Sequence, residues 1–151
     1  MFSLPRLPLA AVAMAAALAF AAPNPAVAEE DDGELDLLVI LGSDSLQTQA
    51  MAMILANHTL ERGRTVNILL CDDAGDLALE GAEAEPVQPP DRSPVQLMQM
   101  AMEMGATVQV CAIYLPTSGL EEDALAEGVS VAAPPEIVEL MVDPTRQLMS
   151  F

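Results

Sequence analysis

The sequence predicts an α/β fold, a mostly parallel five-stranded sheet with helices on both faces. Three observations carry that expectation. Short apolar or alternating runs of strand length recur five times after residue 34. The segments between them carry helical periodicity or the chemistry of helix starts and stops. The two kinds alternate along the chain, which is the pattern of strands joined by right-handed crossovers.

The elements follow in order. Leu35 to Leu41, LDLLVIL, is almost continuously apolar, as a strand buried on both sides of a sheet must be, and Gly42-Ser43-Asp44 closes it with turn residues. From Ser45 to Arg62 the period becomes helical, with Leu46, Ala50, Met53, Ile54 and Leu60 largely on one side and Gly63 as the stop. Thr65 to Cys71, TVNILLC, is the second strand. Asp72 to Arg92 holds seven acids and three prolines in 21 residues, more than most connections in a compact domain contain. It reads as a solvated insertion or, in second place, as a lid over the sheet edge. Ser93-Pro94 then supplies an N-cap and a proline at the first helical position, for a helix running to Met104 before Gly105.

Thr107 to Gly119, TVQVCAIYLPTSG, opens as a third strand, reaches Cys111, and gives way to a loop at Pro116 and Gly119. Ser118 and Glu121 have capping-box spacing, which predicts a short helix over Leu120 to Glu127. Val129 to Ala132 makes a brief strand, Pro134 or Pro135 starts a helix reaching Val142, and Arg146 to Phe151 is the final strand.

Ahead of this domain, Met1 to Ala28 has the three-part layout of a secretory signal: Arg6, an apolar alanine-rich run from about Leu9 to Ala22, and the small-x-small site Ala26-Val27-Ala28. Its apolar core is shorter than the roughly 20 residues that span a bilayer. Cleavage after Ala28 is expected, placing the product in the periplasm or otherwise outside the cytoplasm. An acidic lead-in, residues 29–34, and a single domain over residues 35–151 remain. The chain has a net charge of −18, no lysine, and 23 carboxylates. Such a surface repels nucleic acid and anionic lipid, so the expected partners include neither, and no membrane once the signal is gone.

Cys111, at a strand end, is the leading candidate for chemistry, because ligands collect at the carboxyl ends of parallel strands. A thiol there is either a small buried hydrophobe or a nucleophile, depending on a nearby cation, helix N-terminus or base. His58 is the sole histidine and Arg92 the one cation near a plausible loop. But His58, four residues before Arg62 on the first helix and without metal-ligand spacing around it, reads as a surface or helix-terminal residue. Cys71 ends its own strand before Asp72 and Asp73, whose charges disfavour a thiolate, and it stands as a second thiol. An oxidising compartment permits a Cys71–Cys111 disulfide if strand order brings their Cα atoms within about 7 Å. No HExxH, GxSxG or glycine-rich phosphate motif is present. Met98, Met100, Met102 and Met104 fall on two helix faces about 200° apart, which argues against one copper(I) site. No metal and no cofactor is expected.

The stretch VQVCAIYLPTSGLEEDALAEGVSVAAPPEIVELMVDPTRQLMSF resembles the carboxyl half of the DsrE/TusD-like (DsrE/DsrF-like) sulfur-relay family. It shares a strand ending in cysteine, a loop closing on glycine, an acidic short helix, a GV-x-V strand, a helix and a terminal strand ending in phenylalanine. The amino half is similar more loosely, through its first strand, the helix ending Leu60-Glu61-Arg62-Gly63, and the strand Thr65 to Cys71. The resemblance implies a small α/β subunit forming homo-oligomers, trimers or hexamers, and a cysteine at Cys111 that carries sulfur as a persulfide to or from a donor or acceptor protein. Tyr114, Thr117 and Ser118 would shape the substrate pocket. Some relatives have a second cysteine three residues after the first and an arginine just before the loop glycine; here those places hold Tyr114 and Ser118. The expectation is an exported persulfide sulfur carrier, a sulfurtransferase in the broad sense. The alternative is a non-catalytic oligomeric binding or scaffold protein of the same fold.

Overall fold

The computed structural model describes residues 35–151; the expected export signal and the acidic lead-in lie outside the described residues. Five strands form one parallel sheet: β1 (Asp36–Leu41), β2 (Val66–Leu70), β3 (Thr107–Val110), β4 (Ser130–Val131) and β5 (Arg146–Ser150), in the spatial order β4-β3-β2-β1-β5. The chain steps from β1 toward β4 in one direction and then returns across the sheet to place β5 beside β1. With right-handed crossovers, that reversal puts the connecting helices on opposite faces.

Helices α1 (Leu46–Glu61) and α2 (Pro94–Glu103) pack on each other and on the first face, against Leu37, Val39, Leu41, Ile68, Leu70, Val108 and Val110. Helix α4 (Pro134–Val142) covers the second face, where Ile137 and Leu140 meet Ile40, Leu69, Cys71 and Cys111. The alternation of β1, with residues 37, 39 and 41 on one side and 40 on the other, shows why its sequence is apolar throughout. Leu38, Leu41, Ile68 and Leu70 are each at most 1% exposed. Burying such a side chain contributes about 1.5–3 kcal/mol before conformational entropy is set against it.

The caps explain where the helices begin. Ser45 Oγ accepts from the Thr48 N–H at 3.4 Å. Ser93 and Gln96 form a reciprocal capping box, with Pro94 at the first helical position. Asn57, buried in α1, donates from Nδ2 to the carbonyls of Met53 and Leu97, both at 2.9 Å, and so fastens α1 to α2.

Two local expectations are corrected. The segment Asp72–Arg92 is not a solvated insertion over its whole length: Asp72–Ala78 is a 3-10 helix that buries Ala74, Gly75, Leu77 and Ala78, and only the remainder is largely exposed. Its buried Ala74 and Leu77 recur at the three-residue period of a 3-10 helix and so share one face, which a count of acids and prolines overlooks. The helix expected over Leu120–Glu127 is reduced to a 3-10 turn at Glu122–Ala124. A short helix α3 (Tyr114–Ser118) occupies the expected loop instead. Pro116 is tolerated because it falls in the first turn, where an N–H has no partner within the helix. Gly119, at φ 68°, ends α3 in the left-handed conformation that a residue with a Cβ adopts at a cost.

At the amino edge of the sheet, the Arg146 guanidinium reaches from β5 across β1. Its Nη1 donates to Asn67 Oδ1 at 2.9 Å, and its Nη2 lies 3.6 Å from the Asp36 carboxylate. The Thr65 N–H donates to Asp36 Oδ1 at 2.8 Å. Hydrogen bonds from Thr65, first from its backbone N–H and then from its side chain, and then the charge of Arg146, hold the Asp36 carboxyl below its ordinary range. The stabilisation linked to this carboxylate is complete above about pH 4, where an unfolded aspartate is ionised. It is lost as the pH falls through the lower folded value. Asp36→Asn is therefore expected to be less stable than the parent at pH 7, with the difference disappearing in acid. A constant difference in urea midpoint from pH 7 to pH 2 would contradict this.

Candidate functional site

Register places the two cysteines. In the β2–β3 ladder Leu70 pairs with Val110, so the next residue on each strand, Cys71 and Cys111, stands side by side. The ladder extends through them: the Cys71 N–H donates to Leu41 O and the Cys111 N–H to Leu70 O, both at 2.8 Å. Parallel neighbours at matched register send their side chains to the same face. The Cα atoms are 5.2 Å apart and the thiols are joined as a disulfide, within the span such a bond requires. Strand order, which the sequence left open, decides this pairing.

The disulfide lies at the carboxyl edge of the sheet, and both cysteines are half-buried. They open to a cavity of about 450 Å³, whose lining includes Asp72, Asp73 and Asp76 on one side and Ile113, Tyr114, Thr117 and Ser118 on the other. The local sequence builds each wall. Asp72 takes a positive φ of 50°, a conformation aspartate reaches more readily than most residues, and it turns the chain sharply from β2 into the 3-10 helix. On the other strand the Tyr114 N–H donates to the Cys111 carbonyl at 2.8 Å, starting α3 immediately beyond the thiol.

Tyr114 joins the walls. Its ring lies directly over Gly75, so close that a Cβ there would overlap ring carbons, and its hydroxyl donates to Asp76 Oδ1 at 2.6 Å. Burial first, and then the Asp76 carboxylate, push the Tyr114 phenol well above its ordinary range. The phenol therefore stays protonated and acts as a fixed donor and wall.

Cys111, Cys71, Tyr114, Thr117 and Ser118 thus share one cavity. The groups weighed as activators do not join them. His58 and Arg92 line a separate, larger and mainly apolar cleft of about 570 Å³ beside α1 and α2, and His58 Nδ1 is 2.7 Å from Glu61 Oε2 on the exposed side of α1. Among the described residues, no lysine, arginine or histidine lines the cysteine cavity, while three carboxylates do. Asp72 and Asp73 were legible as neighbours of Cys71, but Asp76 was not. Its place depends on the turn of the 3-10 helix and on Tyr114, 38 residues away. Of the four methionines, Met98 is buried, Met100 and Met102 are both half-buried against the core, and Met104, just past the end of α2, is 41% exposed. Among the described residues, no group of His, Cys, Asp and Glu is arranged to hold a metal ion.

The fold and the site define a small parallel α/β protein with a cysteine pair at the carboxyl edge of its sheet, beside a solvent-open cavity. The chain belongs to the DsrE/DsrF-like family, whose sequence pattern matches residues 36–151. Among solved structures it is similar to the ychN protein of E. coli, with a TM-score of 0.65 at 14% identity, covering 78% of this chain and 99% of that one. It is also similar to MTH1491 of Methanobacterium thermoautotrophicum, with a TM-score of 0.60 at 14% identity over 78% of this chain and 99% of that one. For BT1422 of Bacteroides thetaiotaomicron the TM-score is 0.56 at 18% identity, over 77% and 95%. These likenesses show the fold. No curated protein matches the sequence.

Proposed function

We propose that this protein is an exported sulfur carrier in which Cys111, once its disulfide with Cys71 is opened by a thiol reductant, accepts a sulfane sulfur as a persulfide. The observation that supports the reading best is the shared cavity: a thiol at the end of a central strand, half-buried, with room for a small donor beside it. The reaction needs only thiolate attack on a sulfur–sulfur bond, with no metal or cofactor. Family membership agrees with it. Export is read from the amino-terminal sequence, and an oxidising compartment would suit a paired Cys71 and Cys111.

The direct test uses a reduced Cys71→Ser variant incubated with a hydropersulfide donor, alkylated and analysed by mass spectrometry. A gain of about 32 Da on Cys111, one sulfur atom, is expected. A folded protein that takes up no sulfur would sink the proposal. The disulfide itself favours a second reading, a non-catalytic scaffold stapled between β2 and β3. Under that reading, Cys111→Ser leaves partner binding and phenotype intact.

Homo-oligomerisation belongs to the same proposal. Ile137 and Leu140 of α4 pack inward, yet Val138, Met141 and Val142 form a second apolar stripe, at 56%, 48% and 73% exposure, with Ile113 at 74% beside the cavity. A trimer or hexamer of this chain would cover such a stripe. Sedimentation velocity is expected to show oligomers for the parent and monomers for Val142→Glu; a monomeric parent at micromolar concentration would refute it.

A further inference from the structure

We propose that Cys71 is the resolving thiol of this site, so that sulfur loaded on Cys111 leaves as sulfide while the two cysteines close into their disulfide. The inference rests on the reading of Cys111 as the persulfide-bearing residue and adds what becomes of that persulfide. Its ground is the register of β2 and β3. The Cα separation of 5.2 Å and the shared face that permit the disulfide also hold the Cys71 sulfur against the Cys111 sulfur whenever both are reduced.

The cycle balances in three steps. In loading, the Cys111 thiolate attacks the outer sulfur of a hydropersulfide R–S–SH; the donor S–S bond breaks, Cys111–S–SH forms, and R–S⁻ leaves with the electron pair. In resolution, the Cys71 thiolate attacks the inner sulfur, the one bonded to Cys111 Cβ. The Cys71–Cys111 bond forms, the bond to the outer sulfur breaks, and HS⁻ departs with that electron pair. Each cysteine sulfur is oxidised by one electron, and the sulfane sulfur is reduced by two. In the reset, a dithiol reductant supplies two electrons and two protons and is itself converted to a disulfide.

Two features favour resolution over delivery of the sulfur to an outside thiol. Cys71 is held in place and reacts intramolecularly, where effective concentrations far exceed those of free thiols. An incoming thiolate must also be brought from solvent past Asp72, Asp73 and Asp76; their charges oppose the Cys71 thiolate as well, but Cys71 is already in place and has no such approach to make. The protein would thus act as a persulfide-reducing device rather than a store of sulfur, its substrates being a hydropersulfide and a dithiol.

The experiment is a single turnover. The full protein is reduced, freed of reductant by gel filtration, mixed with cysteine hydropersulfide, and sampled for released sulfide by bimane trapping and for thiol state by mass spectrometry. The parent is expected to release one sulfide for each disulfide formed, at least about tenfold faster than Cys71→Ala or Cys71→Ser. Those variants instead retain the persulfide on Cys111. A parent that keeps the persulfide and releases sulfide no faster than the variants overturns the resolving role and leaves Cys111 as a carrier. Variants that stay folded and take up no sulfur overturn the carrier reading, and the resolving role with it. The one-to-one stoichiometry of the parent is a measure that needs no variant.

Discussion

Reducing the Cys71–Cys111 disulfide should lower the thermal midpoint of this protein by about 12–24 °C. The bond joins residues 40 apart in sequence, closing a loop that holds the 3-10 helix, α2 and β3. Cross-linking a loop of that length removes chain entropy from the unfolded state worth about 4 kcal/mol near room temperature. For a domain of this size, each kcal/mol moves the midpoint by roughly 3–6 °C. The comparison is between the protein with and without dithiothreitol. The double variant Cys71→Ala/Cys111→Ala should match the reduced form and ignore the reductant. A shift under about 2 °C would mean that the β2–β3 ladder alone holds these ends together, and that the bond does not stabilise through the unfolded chain.

Neutralising the carboxylates of the cavity should have a comparably large effect on reactivity. Asp72, Asp73 and Asp76 line the cavity beside the cysteines, and among the described residues no cation lines it with them, so forming a thiolate there works against three like charges. At the low effective dielectric of a partly enclosed site, such charges together amount to roughly 1–2 kcal/mol, about tenfold in the thiolate available near neutral pH. The triple variant Asp72→Asn/Asp73→Asn/Asp76→Asn, reduced, should react about tenfold faster than the parent with iodoacetamide, which is neutral and brings no charge effect of its own. Added salt should narrow the gap by accelerating the parent. The amide oxygen introduced by Asp76→Asn can still accept from the Tyr114 hydroxyl, which keeps the wall in place. Equal rates in parent and variant at low salt would show that burial, not charge, governs these thiols.

Both expectations arise from contacts that the sequence announced only in part. Cys111 was identifiable because strand periodicity ends on it and turn residues follow. Cys71 was identifiable for the same reason. That they meet was not, because each strand's pattern is the same whichever neighbour it pairs with. The choice of β2 beside β3, in the register Leu70 to Val110, is made by the whole sheet packing between α1, α2 and α4. The activating groups show the converse. His58 and Arg92 were the few groups that could have activated a thiol, and His58 reads as a surface or helix-terminal residue, which is where it lies; α1 and the segment after residue 86 carry both to another cleft. Residue type gave no indication of that.

The corrected elements have a similar cause. A count of acids and prolines across Asp72–Arg92 averaged a buried 3-10 helix with the exposed chain that follows it. Capping-box spacing at Ser118 and Glu121 competed with Gly119, whose left-handed turn ends α3 there. A local rule chose the wrong side of that glycine, because the helix on the other side is held by Tyr114 packing on Gly75 and donating to Asp76.

By itself the sequence determined the alternation of strands and helices, the parallel sheet with both faces covered, the helix starts at Ser45 and Ser93, and the two strand-end thiols. These follow from hydrophobic periodicity and backbone chemistry, which act over a few residues. Only the tertiary structure decided that the thiols form one disulfide, that three carboxylates and a tyrosine line the cavity beside them, and that no cation among the described residues joins that lining. Those properties depend on which strands are neighbours and how a turn is packed, and they are fixed by burial summed over the whole domain rather than by any stretch of it.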